Sequence, residues 1–483
     1  MLPNPPPILR TRPSPDRPRR ARAGRIVALV ALLLAACAAP QQPAEPLDLA
    51  AQQAQWQALE PDSPALRDLL EAQGLSPARW PLPQWDLAAL TVLALTRQPA
   101  LAEARARQAA AEAVRTVARP RPSLALDLAS HSETGGASDS PWSLGIAVES
   151  LPLGRSGAAR RAAETEARRA QVDEAGLALA QTAWEIRRTL RERHRDWWAR
   201  RAEAALQAER LTLASAREQA LRRQQAQGAA DGPALRLAQR EAAAARAASA
   251  AARSAEAQAR LALGAAAGLT PELAVRLPLD EQLPTPPALE RGALQSAALL
   301  NRLDLRAALA RHAAAEARQR VELARRWPEF SFAPGLSWDQ GDRLWTLGLK
   351  VTGPPAAGNL PALARARAER EEAAATCLRL QAEALVELAQ ARLAVEAGDA
   401  ARTAAETELA QAERSLARVR TGLAAGQFDR LSLLDAQVLQ LDARGRLLAA
   451  RQQQAQARAA LEDVLQLPLE RLPAPAPALP STP

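Results

Sequence analysis

The chain has no tyrosine, one methionine, two cysteines, three histidines and three phenylalanines in 483 residues. With aromatics at only 3%, this composition does not suit a thick globular core. Alanine, arginine, leucine, glutamate and glutamine dominate instead, the composition of long helices and coiled coils. His131, His194 and His312 lie far apart and lack metal-ligand spacing. No glycine-rich phosphate loop and no nucleophile elbow occurs. The expectation is therefore no catalytic residue, no metal site and no cofactor. Long apolar runs are also missing: the longest, Ile26 to Ala36, is shorter than the roughly 20 residues a spanning helix needs. Cys377 is the one cysteine besides Cys37 and reads as a small buried residue on a helix.

The net charge of +9 invites a nucleic-acid reading. Much of it comes from Arg10, Arg12, Arg17, Arg19, Arg20, Arg22 and Arg25, set against Asp16 alone. Elsewhere arginines alternate with Glu and Gln along helical faces, as on a solvated surface. No basic stripe with interleaved aromatics appears, so no nucleic-acid partner is expected. The basic segment followed by the Ile26–Ala36 run has the form of a signal peptide over residues 1–36. It ends Leu34-Ala35-Ala36-Cys37, which resembles the lipobox of bacterial lipoproteins. That resemblance implies lipidation at Cys37, and Ala38 after it favours the outer membrane. The alternative is an ordinary signal peptide with an incidental cysteine.

What is present in quantity is repetition. Trp142-Ser-Leu-Gly-Ile-Ala-Val148 and Trp345-Thr-Leu-Gly-Leu-Lys-Val351 are one phrase written twice. Gly154 answers to Gly358, Gly228-Ala-Ala-Asp231 to Gly426-Gln-Phe-Asp429, and Arg260 to Arg458. The offset stays near two hundred residues, which marks a duplicated unit. The chain then divides into a tether at 37–84 with at most one short helix, a first repeat at 85–269, a linker at 270–288, a second repeat at 289–467 and a Pro/Ala-rich tail at 468–483. Each repeat reads as a helix (Gln98 to Ala118; Arg302 to Arg326), two strands, a very long helix (Gly157 to Gln227; Pro361 to Ala425) and a returning helix (Pro233 to Leu263; Leu431 to Leu465). The strands fall at about 123–130, 142–150, 329–338 and 344–352. Some 65 to 70 helical residues extend about 100 Å, so the long helices need an extended bundle. Leu177, Trp184, Leu190, Trp197, Leu206 and Leu213 mark an approximate heptad seam with alanines between. Two shorter helices stacked end to end would cover each long one.

All four strands alternate an apolar face with a small or polar one, the pattern and length of a transmembrane β-barrel strand. A soluble sheet packed on helices would alternate in the same way. Four strands cannot close a barrel, and lipid tolerates no open edge. Two copies give eight strands with a filled interior. Three give twelve, with a lumen lined by Asp127, Glu149 and Lys350.

The whole pattern resembles the TolC family of outer-membrane efflux proteins, and its lipidated members most. The resemblance rests on residues 85 to 467, the Pro122 and Pro328 strand junctions, and Gly426-Gln-Phe-Asp-Arg-Leu-Ser-Leu-Leu-Asp-Ala-Gln437 with its weaker counterpart from Gly228. It implies a mainly α chain with a small β part, forming a homotrimer with a twelve-stranded barrel on a periplasmic α-helical barrel. It further implies a lipid-anchored protein of a Gram-negative outer membrane that reaches into the periplasm. Its partners would be outer-membrane lipid, a periplasmic adaptor (membrane fusion) protein and an inner-membrane pump. Gly228, Asp231, Arg420, Gly426, Gln427 and Asp429 would form the adaptor-docking tip. Asp231 and Asp429 can also be simple helix caps. Without tyrosine, no tyrosine gate carries over. A non-conducting periplasmic coiled-coil lipoprotein, adaptor or spacer, is the competing function.

Overall fold

The computed structural model describes residues 46–57, 63–72, 74–75, 79–117, 124–130, 142–148, 151–153, 155–228, 231–280, 294–339, 342–353 and 359–468. The chain forms two compact units, Met1–Leu59 and Glu60–Pro483. In the first, α1 (Leu49–Gln57) starts where Asp48 Oδ1 accepts the Ala51 amide at 3.0 Å. The second holds everything else described.

It begins with α2 (Pro64–Ala72), α3 (Leu87–Arg97) and α4 (Pro99–Val117). Leu66 and Leu70 of α2 are buried, so the stretch expected as a tether with at most one short helix carries two, and the second is packed. Strands β1 (Leu124–Ser130), β2 (Trp142–Val148) and β3 (Leu151–Leu153) lead into α5 (Arg155–Ala226), which returns as α6 (Gly232–Ala266). A short α7 (Pro271–Arg276) lies inside the expected linker, and α8 (Leu294–Leu300) opens the second repeat. That repeat continues through α9 (Leu303–Ala324), β4 (Glu329–Asp339), β5 (Asp342–Thr352), α10 (Leu360–Ala424) and α11 (Arg430–Leu465).

The 72 residues of α5 and 65 of α10 run unbroken, about 108 and 98 Å at 1.5 Å per residue. Along α10, Ala384, Ala391, Gly398 and Ala405 recur at heptad spacing and are buried. On α11, Ala436, Ala443, Ala450 and Ala457 do the same. Small side chains let these helices approach closely, and a Cβ on Gly398 would sit 3.0 Å from the Gln454 Cα. Leucines fill the intervening layers: Leu388, Leu461 and Leu465 form one cluster with Leu294 of α8. This is a coiled-coil seam with alanine in place of half its knobs.

The short helices stack on the long ones as the lengths require. Near the sheet, α5 packs on α4 and α9; farther out it packs on α6 and α11. The joints between stacked helices are hydrogen-bonded. Gln98 donates to the carbonyls of Ala265 and Ala266, and Gln466 accepts the Leu303 amide. A bend at Gly268 (φ +75°) brings α7 back beside α6, where Arg260 donates to the carbonyls of Ala274, Val275 and Leu277. Its repeat counterpart Arg458 instead meets Asp399 at 3.1 Å. The duplication preserved the backbone plan and not this side chain's task.

The sheet is antiparallel in the order β1, β2, β4, β5, with β3 continuing beside β4. Of the expected second strand, 142–150, residues 142–148 are described, as β2, and β3 follows beyond its expected end. Ala147 pairs with Gly335 and Leu151 with Phe332, so four residues on one side span three on the other. This one-residue slip has the arithmetic of a β-bulge. It reverses the alternation, so that Leu151 and Leu153 fall opposite Phe332 and Phe330 instead of opposite small residues.

Candidate membrane face and docking tip

Rows of paired residues can be followed across the sheet. Leu126 pairs with Ile146, Ile146 with Leu336 and Leu336 with Trp345. Leu128, Leu144 and Trp338 make a second apolar row; Leu153, Phe330 and Val351 make a third. Apart from Arg343, which pairs with Trp338 and lies over its ring at the hairpin end, one face of the whole sheet is apolar, and no described element covers it: Trp345 is 84% exposed, Leu347 75% and Leu349 64%. The other face carries Asp127, Gly145 and Ser337 in one row, and Ser331 opposite position 350 in another. Asp127 is exposed. Asp127 and Lys350 thus share the polar face but not a level: the Asp127 row meets β5 at Leu344, about 20 Å of strand from Lys350. Glu149 lies outside the described residues, as does Cys37. At the edges, β1 and β5 each have a single strand neighbour among the described residues.

The other end of the long helices is built from the two Gly-x-x-Asp turns. Gly228 and Gly426 have φ of +73° and +74°, left-handed values that glycine adopts without the Cβ penalty. At the second turn the Gln427 amide donates to the Gly422 carbonyl at 2.8 Å and the Gly426 amide to Leu423 at 3.1 Å, the two bonds of a Schellman motif. Asp231 and Asp429 then cap the returning helices, accepting the amides of Ala234 at 3.0 Å and Ser432 at 2.8 Å. Hydrogen bonds from Ser432 hold the Asp429 carboxyl below the usual carboxylate range. Both turns come to the same end of the bundle: Leu431 packs on Leu221, Leu235 and Ala238, and Arg217 bridges to Asp435. Gly228, Asp231, Arg420, Gly426, Gln427 and Asp429 are all exposed.

The sequence reading missed Phe428. Its ring lies over Gly422, where a Cβ would come within 2.3 Å of Cδ2. The spacing Gly422-x-x-x-Gly426 was the available signal: one glycine turns the chain and the other seats the aromatic ring.

The outer membrane efflux protein family model matches residues 294–465. Solved structures agree over much more of the chain. The outer membrane protein VceC of Vibrio cholerae is 20% identical with a TM-score of 0.66, over 79% of this chain and 96% of its own. The CmeC outer membrane channel of Campylobacter jejuni is 13% identical (TM-score 0.65; 78% and 85%). The open MtrE outer membrane channel of Neisseria gonorrhoeae is 22% identical (0.60; 79% and 89%). A search of curated proteins finds no match. The chain has the fold of an outer membrane efflux protein.

Within this efflux-protein fold, several ionisable groups are buried at mid-height of the long helices. Arg191 of α5 pairs with Glu462 and, at 2.6 Å, with Asp463 of α11. Burial pushes the Asp463 carboxyl up and the Arg191 guanidinium down, each partly offset by the other's charge. His194 is 1% exposed beside Trp197. Burial lowers its pKa, opposed by Asp280 and Asp86 and helped by Arg195. Among the described residues no cluster of His, Cys, Asp or Glu could hold a metal ion. None of the described helices is long and apolar enough to cross a membrane.

Proposed function

We propose that the protein is the outer-membrane duct of a tripartite export system. Three copies join their sheets edge to edge into a twelve-stranded barrel, and their helices form a periplasmic tunnel beneath it. The observation that carries this reading is the continuous, uncovered apolar face on a sheet whose two edges are both open. Contiguous apolar surface of this size is costly in water, and open edges are intolerable in lipid. Edge-to-edge assembly within a bilayer resolves both problems at once. The 11-residue strands β4 and β5, at about 3.3 Å per residue and tilted about 45°, match an apolar band some 25 Å tall. Aromatic residues stand at both levels of that band: Trp338 and Trp345 toward the hairpin end, and Phe330 and the 70% exposed Trp327 toward the helices. Girdles of this kind mark membrane interfaces.

On this reading Asp127, Glu149 and Lys350 line the lumen, and Cys37 carries lipid chains that anchor the same membrane. The exposed Gly228 and Asp231 of the first turn and Arg420, Gly426, Gln427 and Asp429 of the second form the periplasmic rim, where an adaptor fed by an inner-membrane pump docks. The test is reconstitution of the full-length protein in planar bilayers. Discrete single-channel conductance, together with a heat-modifiable trimer band in the outer-membrane fraction, is the expected result. A monomer in the soluble periplasmic fraction with no conductance would instead establish a spacer lipoprotein.

A further inference from the structure

The ion pairs between α5 and α9 keep one antiparallel register. Arg311 meets Glu174 and Arg320 meets Glu166 across the two helices. Carried five residues on toward the sheet, that register sets Arg325 opposite Arg161 and Arg326 opposite Arg160. Glu164 and Arg325 line a common groove at this level. Complementary rungs thus give way to a rung of four arginines. Glu164 meets Arg160 at 3.6 Å and Glu322 meets Arg325 at 2.7 Å, which leaves the group with two positive charges in excess. Arg326 is exposed and has no ion pair among the described residues. Nη1 of Arg161 is shielded from solvent and has no hydrogen-bond partner among them. Like charges brought this close repel one another, and an unpartnered donor out of water costs free energy.

The wider setting has the same sign. On the helix side of the sheet, residues 118–123, 149–162, 319–329 and 350–361 hold nine basic residues and three acidic ones. On the hairpin side, residues 131–141 and 339–343 hold one arginine and four acids. Arg160 and Arg161 lie five and six residues into α5, about 8–9 Å from the strands at 1.5 Å per residue. A bilayer's headgroup layer is roughly 5–8 Å deep, and long arginine stems reach across the difference. Trp327, 70% exposed, directly follows Arg326, and tryptophan with arginine anchors membrane interfaces. We propose that Arg161, Arg325 and Arg326, with Trp327, hold the phosphodiester headgroup of an anionic phospholipid in the periplasmic leaflet. The guanidinium fork suits a pair of phosphate oxygens, and the lipid's charge offsets the excess that the chain leaves. This rests on the membrane placement proposed above and adds a lipid class and the residues that select it.

The test is native mass spectrometry of the full-length trimer in neutral detergent. It is titrated with phosphatidylglycerol, phosphatidylethanolamine or phosphatidylcholine carrying the same acyl chains. Phosphatidylglycerol should bind about tenfold tighter than either zwitterionic lipid, and excess inorganic phosphate should not displace it. Arg161→Gln combined with Arg326→Gln should erase that preference. The double lysine variant should keep part of it, and Arg240→Gln, exposed on α6, should match wild type. If the glutamine variant does not trimerise, the lipid comparison on wild type and the lysine variant decides. Equal binding of the three lipids, displacement by inorganic phosphate, or an unchanged preference in the glutamine variant would overturn the proposal. Bilayer conductance of the same preparations keeps the two readings apart. A conducting trimer with no lipid preference refutes only the headgroup site, whereas a protein that neither conducts nor enters vesicles refutes the membrane placement itself.

Discussion

Replacing Leu349 with arginine gives opposite results for a soluble sheet and a membrane one. Leu349 lies in the apolar row opposite Phe332 and is 64% exposed. Truncating its contacts removes little core packing, so in water an exposed Leu→Arg change falls within about 0.5 kcal/mol of neutral. In hydrocarbon near the midplane the same change costs about 2–4 kcal/mol, and three copies raise this to about 6–12 kcal/mol per trimer. That is comparable to the whole stability of an ordinary domain, about 5–15 kcal/mol. The control belongs on the other face. Gly348 serves poorly, because a Cβ there would stand 3.3 Å from the Ala333 carbonyl oxygen. Thr346, exposed and paired with the side-chain-free Gly335, accepts a long residue. The assay is the yield of heat-modifiable trimer in the outer-membrane fraction, followed by conductance. Leu349→Arg should abolish the trimer band, and Thr346→Arg should keep it while altering conductance. A full wild-type yield for Leu349→Arg, or equal loss from both variants, would refute the assigned orientation of the sheet.

Three further outcomes follow from the geometry. Gly422→Ala should expel the Phe428 ring and cut adaptor crosslinking at Gln427 while leaving trimer level intact, at about 1–3 kcal/mol of local overpacking. Because burial holds the folded pKa of His194 below its unfolded value near 6.5, the unfolded chain binds the proton first. Stability should fall as pH drops below about 6.5, by no more than about 1.4 kcal/mol per pH unit, and His194→Gln should flatten the melting curve's pH dependence over that window relative to wild type. Cys37→Ser should lose metabolic palmitate labelling yet still give some trimer, because the strands hold the membrane without the anchor; labelling that persists would place the lipid elsewhere.

The helices and strands were legible because their ends are punctuated. Pro99, Pro233 and Pro361 sit at helix starts, Gly228 and Gly426 at helix ends, and β5 alternates without a break from Trp345 to Thr352. The large-residue seam on α5 was readable, and Leu190 and Trp197 of it are buried, whereas the small-residue heptads of α10 and α11 came from the structure. Pairings between distant segments could not. Arg191 finds Glu462 and Asp463 across most of the chain, and no local pattern announces it. The short helices α7 and α8 lie in or beside proline-rich stretches whose composition suggests a linker, and tertiary packing of Ala274 and Leu277 overrides it. The slip between β2 and β3 was not legible: the expected strand stops at 150, because Leu151 and Leu153 break its even-numbered apolar alternation until Phe332 and Phe330 are set against them. At the tip the turning glycines and capping aspartates were readable, but the seating of the Phe428 ring on Gly422 needed coordinates.

One consequence of the sheet's two free margins concerns counting. With four strands, each antiparallel to its neighbour, β1 and β5 run in opposite directions. Each copy therefore offers one margin of each sense, and any number of copies can be joined with the same hydrogen-bond pattern at the joints as within the subunit. An odd number of strands per copy would have forced a parallel joint at every junction. Backbone pairing is thus indifferent to whether the ring has two, three or four members. On the proposed assembly, backbone pairing leaves the number of copies to how the long helices pack between neighbours below the sheet.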